Sequence, residues 1–259
     1  MGQKMKNAPV YFALAQVRFN PLAVLETYVP TIQDSLRKAG YPDFKPSQLA
    51  QLILGAPMPK PAVVTRYLFL DASQTSGFSL DQASFSYHTT NYDTFEPFLT
   101  AFFNGLRVVH GETVLSYSER VGVRFLDAVS PLPGETVSQY LQPYVLGLTD
   151  RLEGRQLVHS VSETRTALGK TTLVGRAIIQ KQETPGAAFP EDLQPMPLKL
   201  TEKSSKISGT YAIIDTDSWI EDRENFDLDS LEKTLRSLHN DVRRSFDLMI
   251  TPHALKVWE

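Results

Sequence analysis

The tripeptide Val-Arg-Phe occurs twice in this chain of 259 residues, at 17–19 and at 123–125. Each copy lies in a largely apolar run that predicts a strand. A proline and a segment with helical spacing of apolar residues follow each of them. A repeated order of elements constrains the fold more than a single motif does, because it indicates two units that are built alike.

The two halves of the chain predict matching series of elements. The N-terminal half predicts a strand at 9–19, a helix at 25–39, a short helix at 46–54, strands at 62–70 and 78–89, and a helix at 93–106. The C-terminal half predicts a strand at 119–126, a helix at 136–148, strands at 157–166, 171–181 and 209–217, and a helix at 229–248. Both final helices open with Asp-x-x-Glu, at Asp93/Glu96 and Asp229/Glu232, which is the pattern of a capping box.

These series indicate an α+β protein with two pseudo-duplicated β-α-β-β(-β)-α halves. Each half is expected to be a curved antiparallel sheet packed on a long helix. The N-terminal half covers 1–110, and the C-terminal half covers 111–259 with a proline-rich loop at 183–200. The four prolines between 185 and 197 predict an extended surface loop or an arm that contacts a partner. The alternative is that β-α-β order recurs in many unrelated α+β folds.

Strict alternation in the segment 78–89 predicts one half-exposed antiparallel strand. Ala83, Phe85 and Tyr87 fall on its apolar side. Ser86 and His88 fall on the side expected to face solvent.

Composition excludes several kinds of chemistry. The chain has no cysteine, so disulfides, thiolate nucleophiles and cysteine-ligated metal sites are excluded. The formal charge of −3 argues against a broad surface for nucleic acid or anionic lipid. No secretory signal and no apolar run of membrane-spanning length is present, so we expect a cytoplasmic protein without a membrane partner. Phosphate-loop, dinucleotide and nucleophile-elbow motifs are also missing, and no cofactor is expected.

Three strand arginines form the first candidate site. Arg18 and Arg124 occupy equivalent places in the two halves, and Arg120 shares the side of Arg124. Such residues would converge near a pseudo-twofold axis and bind a carboxylate, a phosphate or an acidic group of a partner. The alternative is that they form structural ion pairs with the acids of the chain.

Four carboxylates form the second candidate site: Asp215, Asp217, Glu221 and Asp222. Asp215 and Asp217 alternate on a strand end, so they point to one side and could share a divalent metal ion. Metal-dependent hydrolases and nucleases use this kind of convergence. The alternative is that a strand leaving the core simply becomes polar.

The segments 16–21, 120–126 and 214–217, with Leu235–His239 and Phe246, resemble a sporadically distributed bacterial family of similar length that has no assigned function. The resemblance spans nearly the whole chain. The family has no established catalytic residues, so it implies none here. Its patchy distribution implies an accessory role, such as phage defence or a toxin–antidote pair.

Three functions follow from these observations. The favoured one is a non-catalytic binding or regulatory protein that acts through a protein partner, encoded by a neighbouring gene, because no familiar catalytic constellation is present. The second is a metal-dependent hydrolase or nuclease that uses Asp215 and Asp217. The third is a small-molecule carrier with an apolar cavity between sheet and helix. Nucleic acid is not an expected partner, and the sequence leaves a homo-oligomer open.

Overall fold

A computed structural model describes residues 5–53, 60–148, 152, 154 and 157–259. The strands are β1 Val10–Phe19, β2 Asp43–Ile53, β3 Lys60–Leu70, β4 Ser76–Leu80, β5 Ser84–Thr89, β6 Tyr117–Val129, β7 His159–Leu168, β8 Thr171–Gln182 and β9 Gly209–Asn225. The helices are α1 Leu25–Lys38, α2 Phe95–Thr113, α3 Val137–Tyr140, α4 Glu202–Ser205, α5 Leu228–Met249 and α6 Pro252–Trp258.

All nine strands belong to one antiparallel sheet with the order β2-β3-β4-β5-β1-β6-β9-β8-β7. The first strands of the two halves, β1 and β6, pair at its centre. The last strands of the two halves, β5 and β9, lie next to them. The mixed architecture with a large antiparallel sheet is therefore confirmed, and the two halves share one sheet.

One face of the sheet carries the main core and the long helices. Alternate residues of β1 and β6, among them Val17 and Val123, point to this face because strand side chains alternate between faces. Helix α5 packs on β6, β8 and β9, while α2 packs on β5 and α1 packs on α2. Leu235 and Leu238 of α5 and Phe102 of α2 are fully buried in this core.

The opposite face is partly covered by the proline-rich segment, residues 183–200. It contains no helix or strand and packs on the chain's own sheet. The Tyr11 hydroxyl donates to the carbonyl of Ala188 over 2.5 Å, and the rings of Phe12 and Phe189 meet edge to face at 5.2 Å. Met196 is buried against Leu68 and Leu70 of β3 and against neighbouring residues of that face. The arm expected to reach a partner is thus docked intramolecularly.

Two predicted helices are wrong in extent or type. The segment predicted as a helix at 46–54 is strand β2 up to residue 53, and residue 54 lies outside the described residues. Pro46 is tolerated there because β2 is an edge strand of the sheet. The helix predicted at 136–148 is reduced to α3 and a 3₁₀ turn at Pro143–Val145, because Pro143 cannot continue an α-helix.

The strand predicted at 78–89 is two strands, β4 and β5, joined by a turn. Asp81 stabilises the turn by accepting from the Ala83 amide at 2.9 Å and from the Ser84 hydroxyl at 2.7 Å. The side expected to face solvent is buried: His88 is 4% exposed. Phe12 packs edge to face on the His88 ring, and the proline-rich segment lies over Phe12. The alternation of polar and apolar residues does not show that a distant segment of the chain covers the polar side of a strand.

Neither predicted capping box forms. The N-cap of α2 is Thr94, which makes no side-chain cap hydrogen bond, and Glu96 instead pairs with Arg236 of α5 at 2.6 Å. Helix α5 starts earlier than predicted, because Asp227 accepts from the Ser230 amide at 2.8 Å and so caps it.

Two glycines of α2 give a matched test of this packing. A Cβ at Gly105 would lie 2.6 Å from the Phe78 ring and 2.8 Å from the Phe85 ring, whereas a Cβ at Gly111 would meet nothing within 4 Å. We expect Gly105→Ala to lower the free energy of unfolding by about 1–3 kcal/mol through overpacking. We expect Gly111→Ala to raise it by up to about 1 kcal/mol through helix propensity. Urea denaturation measures both, and a Gly105→Ala protein as stable as Gly111→Ala would contradict the packing of α2 on β4 and β5.

Candidate functional site

The three predicted arginines line one depression at the centre of the sheet, on the face opposite the long helices. Its volume is about 320 Å³. We call it the arginine depression, and it is lined by Leu14, Gln16, Arg18, Arg120, Gly122, Val123, Arg124 and Asp217.

The pairing of β1 with β6 sets this arrangement. Arg18 lies opposite Arg120, Gln16 opposite Gly122, and Leu14 opposite Arg124. The polar residues share a face because each is two or four residues from the next along its strand. Gly122 leaves the room that the Arg120 side chain occupies, since a Cβ there would lie 3.3 Å from its guanidinium and 3.0 Å from Trp219.

Arg120 is the least neutralised cation of the depression. Its guanidinium donates to the Gln16 side-chain oxygen at 3.0 Å and stacks over the Trp219 ring, 5.3 Å from the centroid. Within the described chain, no carboxylate oxygen lies within 4 Å of it. Burial lowers the pKa of Arg120, although Asp217 and Glu221 raise it in part. The group keeps its charge and has donors available for an incoming anion.

Arg18 lies at the rim of the depression. Its guanidinium is 3.8 Å from the Glu221 carboxylate, and both side chains are about half exposed or more. An exposed ion pair at this distance contributes little. Arg18 is therefore free to turn toward an acid bound beside Arg120.

Asp217 brings a titratable acid into the same depression. Burial raises the pKa of its carboxyl to about 6, and Arg120 and Arg124 offset part of that effect. Asp217 therefore gains a proton under mildly acidic conditions. Protonation of Asp217 makes the net charge of the depression more positive.

Arg124 has a different role from the other two arginines, because it is buried with Asp215 at the centre of an ionic cluster. Its Nε and Nη2 donate to the two Asp215 oxygens at 2.8 and 2.7 Å. Asp192 of the proline-rich segment accepts from Arg124 at 3.0 Å and from Arg176 at 2.8 Å, and Arg176 also reaches Asp215 at 3.1 Å. The sequence did not predict that Arg176 and Asp192 contact Arg124. The three residues come together only because strand pairing and the docked segment bring them close. The cluster fastens that segment to β6, β8 and β9.

Three of the four predicted metal ligands pair with separate cations. Asp215 lies between Arg124 and Arg176, Glu221 lies beside Arg18, and Asp222 pairs with Lys170. Asp217 faces the arginine depression. Among the described residues, no three His, Cys, Asp or Glu side chains are grouped so that they could hold a metal ion.

A second and larger cavity lies on the other side of the sheet, between α5, the start of α2 and the strands β1 and β6. Its volume is about 640 Å³, and we call it the helix-side cavity. Asp127 of β6 is 3% exposed and lines it. Burial raises the pKa of the Asp127 carboxyl to about 8, and Lys203 lowers it only in part.

The sequence did not predict that Asp127 and His239 line one cavity. Asp127 is the lone acid in the apolar end of β6, at 125–129, and that isolation was a usable signal. His239 stacks flat on Phe95 with ring centroids 3.7 Å apart, and burial lowers its pKa to about 4. His239 is thus neutral in the cavity near neutral pH.

Comparison with known proteins gives no relative to guide this assignment: no family model, no curated protein and no solved structure matches the chain. Among the described helices, none has the length and apolar character needed to cross a membrane.

The ionic cluster predicts a sharp contrast between two Asp→Asn variants of β9. Asp215→Asn removes the buried carboxylate partner of Arg124 and leaves it only the half-exposed Asp192, so we expect the free energy of unfolding to fall by up to about 3–5 kcal/mol. Asp222→Asn breaks only the exposed pair with Lys170, so we expect little change. Chemical denaturation of both variants tests this, and equal stability would contradict a structural role for the cluster.

Asp127 predicts a pH dependence of stability. Its pKa of about 8 in the folded chain exceeds the ordinary value of 3.8, so the unfolded chain binds fewer protons between these values. Stability should therefore fall as pH rises from about 6.5 to about 8, by up to about 1.4 kcal/mol per pH unit. Asp127→Asn removes this slope and leaves the protein more stable than wild type at the upper end of the window. Urea denaturation across the window measures the effect, and parallel curves for the two proteins would disprove it.

Proposed function

We propose that this protein is a non-catalytic binding or regulatory protein, and that the arginine depression receives an acidic group of a protein partner. The observation that carries the proposal is the pairing of Arg120 with a neutral group, Gln16, where a carboxylate is the usual partner. A half-buried guanidinium without a close acid favours an anionic ligand that supplies one.

The position of the depression supports a macromolecular partner. It lies on the part of the sheet face that Arg18 and Glu221 leave accessible, since both are substantially exposed. A sheet face with a small polar hollow accommodates a side chain or a chain terminus that is presented by a larger surface. Arg18 and Arg120 lie on adjacent strands and directly opposite each other, which suits the two oxygens of one carboxylate.

The proline-rich segment supports this role indirectly. It covers the neighbouring part of the same face through Asp192, Phe189 and Met196, and it stops short of Arg18 and Arg120. The segment thus leaves the depression uncovered.

We further infer that the two halves are duplicated units. In support, each half places its first strand at the centre of the sheet and its last strand next to it, and a long helix follows that last strand. We place the division after α2, which ends at Thr113. The depression then lies on the line where the two units meet. A bacterial accessory role, in phage defence or as a toxin–antidote component, remains the implication of the family resemblance.

We expect capture of a partner to depend on the arginines of the depression. Tagged wild-type protein expressed in its native host should retain a specific partner, and Arg18→Gln with Arg120→Gln should lose it. Loss of charge-assisted hydrogen bonds corresponds to binding that is about ten- to a hundred-fold weaker. The control is Arg107→Gln, an exposed arginine of α2 on the other side of the sheet, which should behave as wild type.

The purified pair gives a second readout. Protonation of Asp217 removes a competing negative charge, so we expect tighter binding at about pH 5.5 than at about pH 7.5. Asp217→Asn should bind equally well at both pH values. Unchanged capture by the double arginine variant, or catalytic turnover by a protein that captures no partner, would refute the proposal.

A further inference from the structure

We propose that the helix-side cavity is a binding site for a small amphipathic amine, whose ammonium group donates to Asp127 and whose apolar body packs against the aromatic wall of the cavity. This site is on the opposite side of the sheet from the arginine depression. The proposal is therefore independent of the proposed function.

Asp127 is the group of the cavity that would accept a hydrogen bond from a ligand. It lies on β6 opposite Ile214 of β9, and its carboxyl is buried and faces the cavity. Within the described chain, no side chain or backbone group donates a hydrogen bond to that carboxyl. A buried carboxyl without a donor is costly unless a bound molecule provides one. The chain thus leaves a specific acceptor at the bottom of a cavity.

The remaining wall of the cavity is mainly apolar and aromatic. Phe125 precedes Asp127 by two residues on the same strand face, and Phe95, Val242 and Phe246 close the sides. The Tyr92 ring meets the Phe125 ring edge to face at 5.2 Å. Such a wall suits an apolar ligand body, and the aromatic faces also attract an ammonium group. The volume of about 640 Å³ falls in the range of small-molecule sites.

The charged groups around the cavity favour a cation over an anion. Arg236 at the mouth is neutralised by Glu96 and Glu232, and Arg243 lies 3.9 Å from Asp247. His239 is neutral there. Lys203 of α4 influences Asp127 from a distance, while its ammonium group donates to the carbonyls of Asn7 and Ala8.

Tyr11 and Tyr92 are the other titratable groups that interact with Asp127, and burial raises the pKa of each, so both are neutral. Asp127 is then the acid that a buried ammonium would meet. An ammonium binding there would hold Asp127 in its ionised form. The proton of the carboxyl passes to the solvent, so binding near neutral pH should release up to one proton per ligand.

Isothermal titration calorimetry with the full chain tests this. The probes are phenethylamine, hexylamine and tryptamine, each compared with its alcohol or neutral counterpart, in two buffers of different ionisation enthalpy at about pH 7. We expect at least one amine to bind, with proton release, and its neutral counterpart to bind about tenfold or more weakly.

Two Asp→Asn variants complete the experiment. Asp127→Asn should weaken binding of the amine about tenfold or more and abolish proton release. Asp247→Asn changes an exposed acid at the cavity mouth and should leave both unchanged. A thermal melt of each variant confirms that it is folded.

Three results would overturn the proposal: no amine binds at concentrations up to about 10 mM; Asp127→Asn binds the amine as wild type does; or the neutral counterpart binds as tightly as the amine. The last result would mean that the carboxyl acts as a neutral hydrogen-bonding group.

Discussion

The pairing of β1 with β6 is the interaction on which the rest of the structure depends. It joins the two halves into one sheet and sets Arg18 opposite Arg120. Because side chains alternate along a strand, the same pairing sends Val17 and Val123 into the helix-covered core and the arginines to the other face. A shift of one residue in register would exchange these sets and would bury the arginines under α5. Core formation and the arginine depression are therefore two consequences of one register.

Both sides of this sheet hold a polar group that the chain leaves incompletely paired, and the two groups have opposite charge preferences. Arg120 lies in an accessible hollow and has a neutral hydrogen-bond partner. Asp127 lies in a cavity with aromatic walls and has no donor among the described residues. By contrast, Arg124, Arg176, Asp192 and Asp215 form an ionic cluster that satisfies its charges internally. This contrast distinguishes the residues that we propose for binding from the residues whose charges are paired within the fold.

The sequence predicted the parts of the fold that depend on local pattern. Strand β1, the hairpin of β7 and β8, and the long helix α5 follow from apolar periodicity and turn residues. It mispredicted β2, because an edge strand that contains Pro46 resembles the opening of a helix. It also missed the burial of His88, which depends on a segment about a hundred residues away along the chain. Arg18 and Arg124 were visible as a repeated motif, and Arg120 by its place on the side of Arg124. The pairing of Arg124 with Asp215 was not visible, because it is set by the register of β6 and β9.

We propose that Arg120 and Arg18 are available to an acid while Arg124 is not. Nitrogen-15 NMR of the arginine side chains, during titration with glutarate as a small dicarboxylate, measures this most directly. The account predicts that the Nε resonances of Arg120 and Arg18 move with added glutarate, while those of Arg124 and Arg176 stay in place. Movement of Arg124 with Arg120 unchanged would contradict it.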